Sequence, residues 1–217
     1  MAQPRALCLI GDSYHDPARI ERMLSDVLPL AGMAWDSHTD PLAAPWDALA
    51  GYDILLMAAG ERLEPRITNE VWTTPYHERT VREFVSGGGG LVSLHAGLAH
   101  RPGGAFAEVA RGRFLFHPAE HPLYTVHPDA GAFDWFGTDA SFSLRDEMYF
   151  VKVDSASTRV LMHSRCDDYG SSPAAWAHEY GKGRVFAFTP GHNTGVMENP
   201  AYRRILGRGL DWCLGKF

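Results

Sequence analysis

Eleven of the 217 residues are histidine, the side chain that both carries protons near neutral pH and ligates transition metals. Their placement says more than their number. His95 follows the apolar run Leu91-Val92-Ser93-Leu94 and precedes Ala96-Gly97. It therefore sits where a buried strand breaks into a small-residue turn, the geometry that lifts one side chain above the C-terminal edge of an α/β sheet. An imidazole at that point serves as a base or a ligand and excludes a thiol or hydroxyl nucleophile there. His192 follows a second apolar run, Val185-Phe186-Ala187-Phe188, by way of Thr189-Pro190-Gly191. Strand ends of an open α/β sheet share an edge, so His95 and His192 are predicted to line one cleft. Together they form either an acid–base pair or, with a carboxylate, a site for a divalent metal such as zinc.

Further polar candidates lie between and before these two. Glu147 opens a strand-like run to Val153, and His121 is held extended by Pro122; either can supply the third group. Asp12 and His15 fall in the loop after the first apolar run, on the same expected edge, and are read as ligand contacts. Tyr149 and Trp176, with Trp135 and Phe136, offer flat faces that suit the C–H face of a pyranose as well as a protein core. The glycines at 87–90 precede a strand and lack a following lysine, which excludes a P-loop. Cys8, Cys166 and Cys213 show no CxxC spacing and are odd in number, so neither a disulfide framework nor a cysteine-rich zinc site is expected, and none is expected to be catalytic.

The elements that would position these residues alternate between strands and helices. Ala6–Ile10 reads as a strand buried on both faces. Asp16-Pro17 then starts a helix with Ile20, Met23, Leu24, Val27 and Leu28 at helical spacing. A weak strand over 33–37 and a stronger one over 52–58 follow, then a helix over 79–86 ended by the glycines at 87–90, and the strand before His95. Parallel strands ending at Ile10, Ala58 and Leu94 are predicted side by side. Residues 101–145 have poor periodicity and read as an irregular insertion in one domain spanning 1–217. Strand patterns return at 147–153 and 159–163. Ala174–Tyr180 and Arg184–Thr189 form a hairpin around Gly181-Lys182-Gly183, and Asn199-Pro200 caps a last helix.

Twenty basic against 26 acidic residues give a formal charge of −6, the wrong sign for a duplex nucleic acid or an anionic membrane as main partner. No apolar run approaches the length of a membrane span, and the N-terminus lacks a secretory pattern, so a cytoplasmic protein is expected.

Four motifs in order, Gly88-Gly-Gly-Leu-Val-Ser-Leu-His95-Ala-Gly97, His121-Pro122, Asp146-Glu147-Met-Tyr149, and Tyr180-Gly-Lys-Gly-Arg-Val-Phe186 with Thr189-Pro-Gly-His192, resemble the ThuA-like family of trehalose utilisation. The resemblance covers about Thr80 to Trp212. It implies a flavodoxin-like α/β fold of the class I glutamine amidotransferase type, a three-layer sandwich with a mostly parallel central sheet, in which His95 replaces the elbow cysteine. It also implies catabolism of disaccharides first oxidised to keto sugars. On that basis the expected reaction is proton abstraction α to a carbonyl, as an isomerase or a lyase/hydrolase, with His95 or His192 as base and Glu147, the other histidine or a metal polarising the oxygen. The expected partner is a small carbohydrate, and self-association is left open. The alternative is a non-catalytic carbohydrate-binding or regulatory module; a working glutamine amidotransferase is excluded by the missing elbow cysteine.

Overall fold

The computed structural model describes residues 2–62, 65–136 and 140–217. In chain order the elements are β1 (Arg5–Ile10), α1 (Pro17–Val27), β2 (Ala34–His38), β3 (Ile54–Ala58), α2 (Pro75–Gly87), β4 (Gly90–Leu94), α3 (Ala105–Val109), β5 (Gly112–Phe116), β6 (Leu123–Pro128), α4 (Phe133–Phe136), β7 (Phe142–Arg145), β8 (Phe150–Val153), β9 (Arg159–Cys166), β10 (Gly170–Tyr180), β11 (Gly183–Phe188), α5 (Thr194–Met197) and α6 (Pro200–Cys213). Nine strands make one sheet in the order β2-β1-β3-β4-β11-β10-β9-β6-β7, and β5 pairs with β8 in a separate ribbon.

Local chemistry sets the helix ends. The Asp16 carboxylate accepts from Ala18 N ahead of Pro17, and the Asn199 side chain accepts from Ala201 N ahead of Pro200; each cap stabilises its helix by about 1 kcal/mol. Helix α2 begins earlier than its apolar spacing suggests. Thr74-Pro75 starts it, and the His77 ring accepts from Thr74 N, a reciprocal cap in which histidine takes the place usually filled by Glu or Gln.

Side chains alternate across the strands, and both faces are covered. In β1, Ala6, Cys8 and Ile10 join a cluster with Met23, Leu24, Ile205 and Leu210 of α1 and α6. Leu7 and Leu9 join the opposite cluster with Val81 and Val85 of α2, Phe106, Trp46 and Trp72. Burial on two sides is why these strands read as unbroken apolar runs, and each large side chain so buried contributes about 1.5–3 kcal/mol.

The strands ending at Ile10, Ala58 and Leu94 do lie side by side, in the order β1-β3-β4. The expectation of a mostly parallel sheet needs correction. Four of its pairings are parallel, β2-β1, β1-β3, β3-β4 and β4-β11, and four are antiparallel, β11-β10, β10-β9, β9-β6 and β6-β7. The extra antiparallel strands come partly from residues 101–145, which hold α3, β5, β6, α4 and β7 rather than an irregular excursion; residues 137–139 of that stretch lie outside the described residues. The hairpin around Gly181-Lys182-Gly183 forms as expected. No helix among the described residues is long and apolar enough to cross a membrane.

All three cysteines are free and buried. Burial pushes the thiols of Cys8 and Cys213 far above the ordinary range, which opposes thiolate formation.

Two buried histidines outside the cleft give the fold a pH dependence. Burial pushes both His100 and His178 down to about 4. A histidine whose folded pKa lies below its unfolded value of about 6.5 stabilises the fold above that value, and the contribution falls as pH drops towards 4, because the unfolded chain binds the proton more readily. Denaturant unfolding followed across pH should therefore lose roughly 3 kcal/mol per residue between about pH 6.5 and 4. His178→Gln should flatten part of that slope, and a stability independent of pH over this window would contradict the assignment.

Candidate active site

His95 leaves the end of β4 with φ of +43°, a left-handed conformation that a non-glycine residue holds only when its surroundings impose it. The chain then makes a short 3₁₀ turn, His95–Leu98. Gly97 allows that turn to press against β3, since a Cβ at this position would run into the Met57 carbonyl. The imidazole Nδ1 lies 2.7 Å from the Thr189 carbonyl oxygen, directly beyond β11, and the Tyr149 ring stacks on it at 4.0 Å between centroids. The ends of β4 and β11, together with the segment before β8, thus fix one ring.

The Asp146-Glu147 pair divides its work. Asp146 is fully buried and accepts three backbone N–H groups of the loop after β11, from Gly191 (2.8 Å), His192 (3.1 Å) and Asn193 (2.8 Å). Glu147 enters the cleft. Its Oε2 stands 3.2 Å from His95 Nε2 and 3.3 Å from His192 Nδ1, and its Oε1 stands 3.6 Å from His117 Nε2 and 3.8 Å from His121 Nε2.

A fourth arm comes from the loop after β1. Asp12 accepts from Tyr14 N, His15 N and Gly60 N and pairs with His15 Nδ1 at 2.7 Å. The His15 ring packs edge-on against both His95 (4.9 Å) and His192 (5.0 Å), and its Nε2 is buried without a hydrogen-bond partner.

Electrostatics follow from this packing. Burial lowers the His95 pKa, so near neutral pH the ring carries one proton, and the Thr189 carbonyl places it on Nδ1. Nε2 then presents a lone pair. Burial raises Glu147, but the neighbouring imidazoles, His192 foremost, outweigh it and hold the carboxyl well below the usual carboxylate range. The Glu147 carboxylate raises His192 in turn. His192 Nδ1 is close to Oε2 yet not aligned for a hydrogen bond, so this pairing is electrostatic. Asp12, raised by burial, is brought below its ordinary value mainly by the hydrogen bond with His15.

His15, His95, Glu147 and His192 each offer one ligand atom, all within 4.8 Å of one another. Tetrahedral ligands held 2.0–2.1 Å from a zinc ion would lie about 3.4 Å apart, close to the separations of His95 and His192 from Glu147. His15 backed by Asp12 and His95 backed by a carbonyl have the outer partners that orient metal-binding imidazoles.

Of the residues singled out from the sequence, His95, His192, Glu147 and His15 therefore converge, with His121 at the rim. Asp12 holds His15 rather than facing the opening. Two aromatic expectations require correction. Trp176 is fully buried, its indole N–H bonded to the Ala110 carbonyl, and has no face for a sugar; Tyr149 is buried against His95. Trp135 packs on Trp212 and Phe217, and Phe136 lies against the core. His117 and Asp146 were not singled out as site residues. His117-Pro118 repeats the His121-Pro122 dipeptide and could have been found by it.

An α/β sheet covered on both faces, with three histidines and a carboxylate gathered where its parallel strands end, defines the class of molecule. The chain belongs to the ThuA family, described as trehalose utilisation, whose family model matches residues 5–213. It is similar to a ThuA-like protein from Bacteroides uniformis, with 17% identity, TM-score 0.72, 99% of this chain and 92% of that one. Another ThuA-like protein, from Parabacteroides merdae, matches with 16% identity and TM-score 0.73 over 98% and 90% of the two chains. A β-galactosidase from Rahnella sp. R3 contains a similar fold, with 13% identity and TM-score 0.67 over 99% of this chain and 32% of that one. No functionally curated protein matches the chain significantly.

The close approach of Gly97 to β3 generates a prediction. Gly97→Ala should destabilise the fold by on the order of 3–5 kcal/mol, whereas Gly195→Ala, where a Cβ meets open space, should change stability by less than about 1 kcal/mol. Equal unfolding midpoints for the two variants would contradict the packing described for the His95 turn.

Proposed function

We propose that this chain is an enzyme of carbohydrate catabolism that acts on a keto sugar or an oxidised disaccharide by removing a proton α to the carbonyl, on a flavodoxin-like, amidotransferase-like three-layer scaffold. The observation that carries this reading is the convergence of His15, His95, Glu147 and His192 within 4.8 Å. The order β2-β1-β3-β4-β11 of the parallel strands supports the scaffold, because it follows the 2-1-3-4-5 pattern of doubly wound sheets. The family's description supports the sugar.

The four side chains fit a divalent cation such as zinc. The buried, unpartnered Nε2 of His15 and the lone pair of His95 Nε2 both need a positive group, and Glu147 supplies the balancing charge. A cation bound there would polarise a carbonyl oxygen and stabilise the negative charge that develops on it.

With His95 and His192 holding the cation, the base expected at one of them passes to His117. Its Nδ1–H donates to the Pro118 carbonyl at 2.7 Å, which leaves Nε2 with a lone pair, and the ring is about one-third exposed. In the proposed step the C–H bond beside the ketone breaks and its proton moves to His117 Nε2. The electron pair enters the adjoining C–C bond, and charge collects on the carbonyl oxygen. Where the α-carbon bears a hydroxyl, passing that hydroxyl's proton to the former carbonyl oxygen and returning the proton held on His117 to the former carbonyl carbon completes an isomerisation. Expelling a β-oxygen substituent, which takes up that proton and leaves as an alcohol, completes an elimination. A non-catalytic binding module would need no such gathering of titratable groups, and with Trp176 inside the core it also loses a stacking surface.

Metal content and turnover of a keto-trehalose test this reading. About one divalent ion per chain is expected, with chelation lowering both turnover and melting temperature. His15→Ala should lose the ion, whereas His117→Ala should keep it and lose roughly 10²–10⁴-fold in kcat. Undiminished turnover after complete chelation would contradict the cation's role, and undiminished turnover of His117→Ala would contradict the base.

A further inference from the structure

The rings around Glu147 are not equivalent in where they carry their protons. His15, His95 and His117 each turn Nδ1 to an oxygen, Asp12 Oδ1, the Thr189 carbonyl and the Pro118 carbonyl, each at 2.7 Å. An oxygen without a hydrogen of its own can only accept, so each of these three rings carries a proton at Nδ1, and the neutral ring then has its lone pair at Nε2.

His121 is opposite. Its Nδ1 faces a nitrogen, Asn193 Nδ2, at 3.1 Å, and an amide NH₂ only donates. The orientation of that amide is fixed independently, because the same nitrogen lies 3.0 Å from the Arg145 carbonyl oxygen. Exchanging the amide's O and N would set two oxygens against each other. The Asn193 backbone is itself tied to Asp146 at 2.8 Å. His121 Nδ1 therefore accepts, and the ring's proton is on Nε2, the atom facing Glu147 Oε1 at 3.8 Å. That separation is too long for a hydrogen bond.

We infer that His121 is the fixed hydrogen-bond donor of the site, directed at the oxygen of a bound keto sugar on which negative charge develops, and that Asn193 is the positioning residue that sets its tautomer. The sugar oxygen rests on the function proposed above; the tautomer does not. A ring nitrogen carrying a proton cannot ligate a cation, so His121 stands outside the cation cluster although it borders Glu147. His117 and His121 each precede a proline and flank the same carboxylate oxygen, yet one offers a lone pair and the other an N–H. A base and an oxyanion donor on one rim are the two groups that α-deprotonation of a ketone requires, and the donor costs no reorganisation when it is already oriented.

Imidazole ¹⁵N NMR of the zinc-loaded protein tests the tautomer directly. His121 is expected as the Nε2–H form and His117 as the Nδ1–H form; an Nδ1–H form of His121 would overturn the inference. Asn193→Asp replaces a donor by an acceptor and should move the His121 proton to Nδ1. On keto-trehalose it should lower kcat about 10²–10³-fold, the effect of losing one oxyanion donor, with a smaller change in KM. His121→Gln, which keeps a side-chain N–H, should retain more activity than His121→Leu, and this comparison stands even if Asn193→Asp fails to fold. A shifted tautomer with unchanged kcat, or equal activity of the Gln and Leu variants, would overturn the donor role. Failure of the wild type to turn over any keto-disaccharide would instead overturn the proposed substrate, while the NMR result would still decide the tautomer.

Discussion

A carboxylate taken out of water must be compensated where it stands, and Glu147 is largely removed from water among imidazoles. Unpaired, such a charge costs several kcal/mol. A cation shared with the neighbouring rings would meet that demand, provided that chain segments far apart in sequence arrive at one point. His15 comes from the loop after β1, His95 from the end of β4, His192 from beyond β11, and His117 and His121 from the segment between β5 and β6. The sheet order that places β1, β3, β4 and β11 next to one another is thus a requirement of the charge at the centre of the cleft.

Rigidity at this point comes from groups that never face the opening. Asp146 holds the loop carrying His192 by three backbone N–H groups, and Asp12 holds His15 while also bonding Gly60 N beyond β3. The left-handed backbone at His95 is sustained by the contact of Gly97 with β3 and by the Tyr149 ring. Two of the three acidic or aromatic residues in Asp146-Glu147-Met148-Tyr149 therefore hold the site in place, and only Glu147 is presented to it. A single short motif supplies both the charge and its support.

Much of this was legible in the sequence, for physical reasons. Strands buried on both faces read as apolar runs, which located β1, β3, β4 and β11 and hence the shared edge with His95 and His192. Proline after Asp16 and Asn199 marked two helix starts. Other features were hidden by the same physics. β6 and β7 are short, half-buried strands in a stretch where Pro, Gly and His are frequent, so their place in the main sheet did not show, and the sheet was expected to be more parallel than it is. Trp176 lies in a strand covered on both sides, where an aromatic in an apolar run belongs to the core rather than to a ligand. The tautomers of His117 and His121 depend on contacts with Pro118 and Asn193; the second is long-range, and no spacing rule reports it.

The imidazoles of His15, His95 and His192 and the Glu147 carboxylate are proposed to form one cation site. Anomalous X-ray scattering at the zinc edge, from crystals of the zinc-loaded protein, tests it most directly. A single strong peak is expected in the cleft, about 2.0–2.2 Å from His15 Nε2, His95 Nε2, His192 Nδ1 and Glu147 Oε2, with His121 outside coordination distance. A fully loaded crystal with its zinc elsewhere, or with His121 as a ligand in place of one of these four residues, would contradict it.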